Sequence, residues 1–278
     1  MADATNPDAP NADAARNGPG PGPGYAEKPA HRVAFEPTAK RLRARFAERD
    51  IFDTTAALIL FETRHVPGYY IPRADVAMEL LTASDHVTYC PFKGEAGYWN
   101  VEAGGQRAEN AVWAYDRPYD EVAGLADYMA FYWGRLDHWY EEDEEVFVHP
   151  RSPYVRIDIL PASRPVTVVL GGVEIARTVR ARLLFETGLP VRCYIPPEDV
   201  RMDLLAPSAT RTQCPYKGAA HYFSAEIAGR RFEDIVWCYP EPVAESAGIA
   251  GLLCFFDEKV DAVLVDGTAM PRPVTKWL

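Results

Sequence analysis

The sequence predicts a mainly β protein built from two tandem small antiparallel domains, and three observations carry that prediction. The stretch "CPFKGEAGYW" at 90–99 returns as "CPYKGAAHYF" at 214–223. Sliding the chain on itself by 124 positions pairs 60–115 with 184–239, and 27 of those 56 positions are identical. A period that long exceeds the repeat of any solenoid or propeller, so each copy is a domain in itself. Apolar residues also recur at period two over strand-length runs punctuated by glycine and proline. Finally, 278 residues of which 48% are hydrophobic suffice for two cores of ordinary size. The expected boundaries are a tail at 1–30, a first domain at 31–145 and a second at 146–278.

Residues 1 to about 28 are rich in Ala, Asn, Asp, Pro and Gly, a composition that buries too little apolar surface to offset ordering entropy, so a disordered tail is expected. "PVTVVLGGVEIA" at 165–176 is two alternating runs about Gly-Gly, a hairpin signal. Its counterpart "LRARFAERDIFD" keeps the alternation with a less ideal turn. "AALILFET" and "ARLLFET" read as short buried strands ending on a carboxylate. In "YIPRADVAMELL" and "YIPPEDVRMDLL" the prolines break the strand, and the residues after them fit a helical turn or an alternating strand equally well. Strands come next after the repeated motif and at "NAVWAY" and "DIVWCY". One short helix, at "YDEVAGLADY" or "VAESAGIAGL", then precedes a closing aromatic strand, "MAFYW" or "LLCFF". The acidic join "EEDEEVFVHPRSPY", 141–154, reads as a solvated linker face.

Composition excludes several functions. A net charge of −11 argues against a nucleic-acid surface, and "KRLRAR" at 40–45 reads as a half-exposed strand. No apolar run approaches the roughly 20 residues that span a bilayer, and the N-terminus lacks the pattern of a secretory signal. A soluble, cytoplasmic protein without a membrane partner is expected. Cys90, Cys193, Cys214, Cys238 and Cys254 are odd in number and free of any C-x-x-C pair, which fits reduced thiols. No histidine lies at metal-ligand spacing, so no metal and no cofactor is expected.

In C-P-[FY]-K-G the proline pushes the preceding cysteine into extended geometry, and the glycine permits positive φ. The motif therefore predicts a strand ending in a tight turn with lysine at its tip. Three roles fit it. The cysteine can be a buried hydrophobe under a turn whose lysine points to water. The lysine can instead stabilise a thiolate, making Cys90 and Cys214 candidate nucleophiles. Or Lys93 and Lys217 can line a pocket that the cysteines merely support.

Among the polar residues common to both copies, Arg107 with Glu102 or Glu109 reads as a cross-hairpin ion pair. Glu62 ends an apolar strand, where a partly buried carboxylate needs a partner such as Lys93 or Tyr70. Asp75, after Pro72, caps a turn or pairs with that same lysine. Recurring Tyr70, Tyr98, Trp113 and Tyr115 are mostly core, yet one or two open ring faces beside a carboxylate make a ligand cage. No triad of serine, histidine and aspartate recurs in both copies.

The strings "YYIPRADVAMELL", "TYCPFKGEAGYW" and "VWAYDRP", with their second-copy equivalents, resemble the domain of unknown function 427 family, sometimes labelled nucleotidyltransferase-like, over nearly everything from about residue 37 onward. The resemblance implies a tandem member with the β-tent fold, the small architecture of methionine sulfoxide reductase B and the thalidomide-binding domain of cereblon. Other β-tent members often hold zinc through paired cysteines. Those pairs are missing here, so neither the metal nor its chemistry carries over. The nucleotidyltransferase label fits poorly, because no phosphate-cradling Gly-Ser motif and no paired metal-binding carboxylates recur in both copies.

The sequence thus points to a binding module with one pocket per β-tent-like repeat for a small polar molecule or a modified side chain. Glu62, Tyr70, Asp75, Lys93 and Trp113 border the first pocket, and Glu186, Tyr194, Asp199, Lys217 and Trp237 the second. The alternative is a thiol-dependent enzyme using Cys90 and Cys214. A third expectation is that the two repeats pack as a pseudo-dimer.

Overall fold

The structure, a computed structural model, describes residues 18–274; most of the expected tail, 1–17, lies outside the described residues. The chain divides into two units between Pro150 and Arg151. Each is mainly β and antiparallel, as the sequence predicts.

The first unit contains β1 (Val33–Pro37), β2 (Leu42–Phe46), β3 (Arg49–Thr54), β4 (Leu58–Glu62), β5 (Gly68–Pro72), β6 (Leu81–Cys90), β7 (Gly94–Ala103), β8 (Gln106–Ala114), β9 (Tyr128–Phe131), β10 (His138–Glu141) and β11 (Glu144–Glu145). A seven-stranded sheet runs β1-β4-β5-β9-β8-β7-β6, and a four-stranded sheet runs β11-β10-β2-β3. The second unit repeats the plan in β12 (Ile157–Ala162), β13 (Val166–Leu170), β14 (Val173–Thr178), β15 (Ala181–Glu186), β16 (Arg192–Ile195), β17 (Leu205–Cys214), β18 (Gly218–Ile227), β19 (Arg230–Cys238), β20 (Leu253–Phe255), β21 (Ala262–Val265) and β22 (Thr268–Ala269). Its sheets run β12-β15-β16-β20-β19-β18-β17 and β14-β13-β21-β22.

Period-two alternation gives the large sheet two apolar faces. On one face Ile59, Ile71, Val112 and Met129 pack against Leu42, Ala44 and Ile51 of the small sheet. On the other, Leu58, Leu60, Tyr70, Tyr98 and Tyr115 form a second cluster with Val122 and Leu125. Strands apolar on both faces read as unbroken runs, which is why "AALILF" shows no alternation.

The Gly-Gly turn between β13 and β14 has φ of 59° and 76° at Gly171 and Gly172. The matching turn between β2 and β3 forces Ala47 and Glu48 to φ of 46° and 62°, the left-handed region that non-glycine residues resist. The ambiguous "YIPRADVAMELL" resolves into two 3-10 turns, Arg73–Asp75 and Met78–Leu80, ahead of β6. The short helix before the closing strand is also 3-10, at Asp120–Leu125 and Ala244–Ile249.

Two stretches depart from expectation. The described end of the expected tail is held on the first unit by backbone groups: Gly24 N–H donates to the Pro91 carbonyl at 2.9 Å, Gly22 N–H to Glu121 at 3.0 Å and Gly20 N–H to Asp120 at 3.0 Å. A Cβ at Gly24 would sit 2.7 Å from the Phe92 ring, so glycine permits the close approach. Side-chain hydrophobicity therefore misses what holds this segment. In the acidic join, Glu141 is not solvated: it is 7% exposed, accepts the Tyr69 hydroxyl at 2.7 Å and pairs with Lys40. Acidic neighbours hide the strand β10 that carries it.

Candidate functional site

The repeated motif forms the turn between β6 and β7. Cys90 faces Gly94 across the ladder, and Lys93 N–H donates to the Cys90 carbonyl at 3.2 Å. Glycine comes after the lysine because φ there is 107° at Gly94 and 101° at Gly218. At Gly218 a Cβ would also meet the Glu241 carbonyl at 3.1 Å.

The lysine does not point to water. Lys93 is 7% exposed and Lys217 is 8% exposed, because each turn folds back over the outer face of the large sheet toward the end of β4 or β15. There Lys93 pairs with Glu62, and Lys217 with Glu186 at 2.5 Å. A buried carboxylate and a buried ammonium each meet the partner they require. Burial opposes ionisation of Glu62, but the hydrogen bond and charge of Lys93, with His65 and His31, prevail and hold its carboxyl below the usual range. His31, from the N-terminal segment, stacks on Phe92 with ring centroids 3.6 Å apart, and its Nε2 lies 3.1 Å from Glu62 Oε1. Val155 occupies the matching position of the second copy.

Above the first pair opens a cavity of about 430 Å³. Its floor is Glu62, Lys93 and Tyr115, and Lys93 Nζ stands 6.0 Å from the Tyr115 ring centroid. Its walls are aromatic. Trp113 and Tyr132 lie 4.6 Å apart, Tyr70 meets Trp113 edge-on at 6.5 Å, and Trp133 stacks on Trp139 at 4.2 Å. Burial raises the phenol pKa values of Tyr70 and Tyr115, so both stay protonated. Among the described residues the Tyr115 hydroxyl has no hydrogen-bond partner. The other side of the Lys93–Glu62 pair lines a second, larger cavity of about 770 Å³ with His31, Cys90 and Phe92, which lacks the tryptophan walls of the first.

The second copy keeps Glu186, Tyr194, Lys217, Trp237 and Tyr239 in the same arrangement, with Trp237 Nε1–H donating to the Tyr194 hydroxyl at 3.1 Å. Its cavity is only about 190 Å³. The difference lies in the rim. Arg192 and Glu258 stand where the first copy has Gly68 and Gly134. Arg192 makes two bonds to Glu258, at 2.9 and 2.5 Å, and its guanidinium carbon lies 5.5 Å from the Trp237 ring centroid.

The structure thus brings together four of the five candidates in each copy and separates the fifth. Asp75 accepts the Thr54 hydroxyl at 2.6 Å, and Asp199 accepts that of Thr178 at 2.7 Å and pairs with Arg180; neither lines its cavity. Cys90 and Cys214 pack at the edge of the outer-face clusters and do not line the aromatic cavities. Lys217 Nζ does lie 3.7 Å from Cys214 Sγ. Tyr115 and Tyr239 were visible as recurring aromatics. Tyr132 belongs to the recurring closing aromatic strand, with Phe256 in its place in the second copy, whereas Trp133 and Trp139 gave no repeat signal, because Asp257 and Val263 replace them. Among the described residues no cluster of His, Cys, Asp or Glu is placed to hold a metal ion, and no helix is long and apolar enough to cross a membrane.

A family model described as a domain of unknown function (DUF427) matches residues 34–142 and again 158–266. No curated protein matches the chain.

Proposed function

We propose, for a chain that belongs to the DUF427 family in both of its halves, that the first domain is a binding module for a small molecule with a flat body and a polar end. The observation that carries this is the aromatic cavity over the buried Lys93–Glu62 pair. Its volume of about 430 Å³ falls in the range of small-ligand sites, roughly 300–1,000 Å³, and the second copy's 190 Å³ falls below it. Ring faces supply contact area, while the Tyr115 hydroxyl and the spare protons of the Lys93 ammonium orient the polar end. The pair is neutral as a unit, so it recognises by hydrogen bonds rather than by net charge.

A thermal-shift screen of small planar compounds tests this, followed by titration of each hit against Tyr115→Phe, which removes one oxygen. Hits should bind the variant about tenfold more weakly, the loss of one hydrogen bond. Hits that bind Tyr115→Phe and Lys93→Ala as tightly as the original would show that they sit elsewhere, and the cavity assignment would fall.

The 3.7 Å approach of Lys217 to Cys214 favours a second reading, a thiol enzyme. Alkylation of Cys90 and Cys214 across pH, read by peptide mass spectrometry, decides it. Fast labelling well below pH 8 supports a thiolate, and labelling only on unfolding removes that reading.

A further inference from the structure

The two copies share a ring framework but not what fills it. Around Trp237 stand Tyr194, edge-on at 6.4 Å, and Phe256, tilted at 4.5 Å. Around Trp113 stand Tyr70, edge-on at 6.5 Å, and Tyr132, tilted at 4.6 Å. In the second copy the chain's own guanidinium occupies the space over the tryptophan, held in a two-pronged bond by Glu258. In the first copy both halves of that ion pair are glycine. A Cβ added at Gly68 or at Gly134 would meet nothing within 4 Å, and neither glycine has the positive φ that would explain its choice. Neither position needs glycine for its backbone, and the space that a side chain would take is open.

Charge divides the same way. Residues 18–150 contain 13 basic and 22 acidic side chains, a net −9, whereas residues 151–278 contain 15 of each. The unit with the open cavity carries a field that concentrates cations, and the unit with the filled one carries none. Trp113, Tyr132 and Trp133 offer electron-rich faces that attract a cation lying over them.

We infer that the first cavity receives a guanidinium-bearing small molecule over Trp113, in the place that Arg192 fills in the second copy. The inference rests on the cavity assignment above and adds the class of ligand. A guanidinium suits the slot because it is flat, weakly hydrated and able to stack on a ring. The second domain, carrying its own guanidinium, takes no ligand there.

The test is calorimetric titration of the full chain with butylguanidinium and with butylurea, which has nearly the same shape and no charge. Three proteins are compared. Native protein should bind one equivalent of butylguanidinium, and butylurea about tenfold more weakly, the loss of a cation–π contact. Gly68→Arg with Gly134→Glu rebuilds the ion pair of the second copy in the first and should abolish binding. Arg192→Gly with Glu258→Gly removes the guanidinium and its two-pronged partner, leaves Asp257, 3.5 Å from that guanidinium, to be kept neutral by its burial, and should raise the stoichiometry to two equivalents. Equal affinity for butylurea would overturn the cationic class while leaving a ligand cavity in place. Unchanged butylguanidinium binding in the Gly68→Arg, Gly134→Glu protein would place it outside the cavity and overturn the inference. No binding of either probe, with planar hits from the thermal screen still lost in Gly68→Arg, Gly134→Glu, would overturn the guanidinium alone; no hits at all would overturn the cavity assignment too. A parallel titration with backbone-blocked arginine separates the sources. Tighter binding of butylguanidinium indicates a free small molecule, tighter binding of blocked arginine indicates an arginine within a chain, and both place a guanidinium in the cavity.

Discussion

The two repeats keep the same floor and differ in the rim. Both bury a lysine from the β6–β7 or β17–β18 turn against a glutamate at the end of β4 or β15, and both set a tryptophan and two tyrosines beside it. Beyond that shared floor the first copy has Gly68, Trp133 and Gly134 where the second has Arg192, Asp257 and Glu258. Duplication left a structural ion pair unchanged, because removing either partner strands a buried charge. The rim differs, and the difference leaves one hollow open and places the Arg192 guanidinium in the other.

The largest expected effect comes from the shared floor. Lys217→Ala leaves Glu186 buried with no partner among the described residues, and should destabilise the second domain by about 3–5 kcal/mol. Lys93→Ala leaves Glu62 its contact with His31, so its cost to the first domain should be smaller. Hydrogen exchange in denaturant, resolved by domain, compares the two. Equal losses would show that His31 contributes nothing to Glu62.

The next effect separates the rims by pH. Burial pushes the Asp257 carboxyl up to about 6 against the pull of Arg192, while Glu62 is held below its usual range. A carboxyl raised in the folded state gives stability that is present below its unfolded pKa and lost as pH rises through the folded value. The second domain should therefore lose roughly 1–3 kcal/mol between about pH 4 and 6. Glu62, held below its ordinary value of 4.5, gives the first domain a stability that is complete above that value and declines as pH falls through it, so in the lower part of the window the first domain's slope has the opposite sign. Asp257→Asn should flatten the second domain's profile and leave the first domain's unchanged. A slope that survives the substitution would assign it to another group.

The smallest effect concerns the first hairpin. Glu48→Gly relieves a left-handed φ of 62° and should stabilise the first domain by about 1 kcal/mol. Gly172→Ala imposes the same strain on the second, at φ 76° with open space around the Cβ, and should cost a similar amount. Chemical denaturation read by domain checks both signs.

The legible parts of the molecule are those that local pattern governs. Strand alternation, the Gly171–Gly172 turn and the tandem repeat were all readable in the sequence, as was the need of Glu62 for a partner at the end of an apolar strand. The burial of Lys93 was not legible, since it depends on a turn reaching 31 residues back along the chain to the end of β4. Asp75 shares its residue type with real pocket carboxylates, and only the approach of Thr54 shows its different role. Trp133 and Trp139 align with Asp257 and Val263 in the second copy, so the repeat that exposed the floor concealed these two walls. The glycine-rich segment before His31 is held by backbone hydrogen bonds, which composition does not report.

The central claim is that one repeat is open to a ligand and the other is filled by its own arginine. Crystallographic soaking of the full chain with a library of small planar fragments, cationic and neutral, tests it most directly. Fragment density should appear over Trp113, bordered by Tyr115 and Gly68, with Arg192 undisturbed over Trp237. Fragments in both cavities, or over Trp237 with Arg192 displaced, would contradict it.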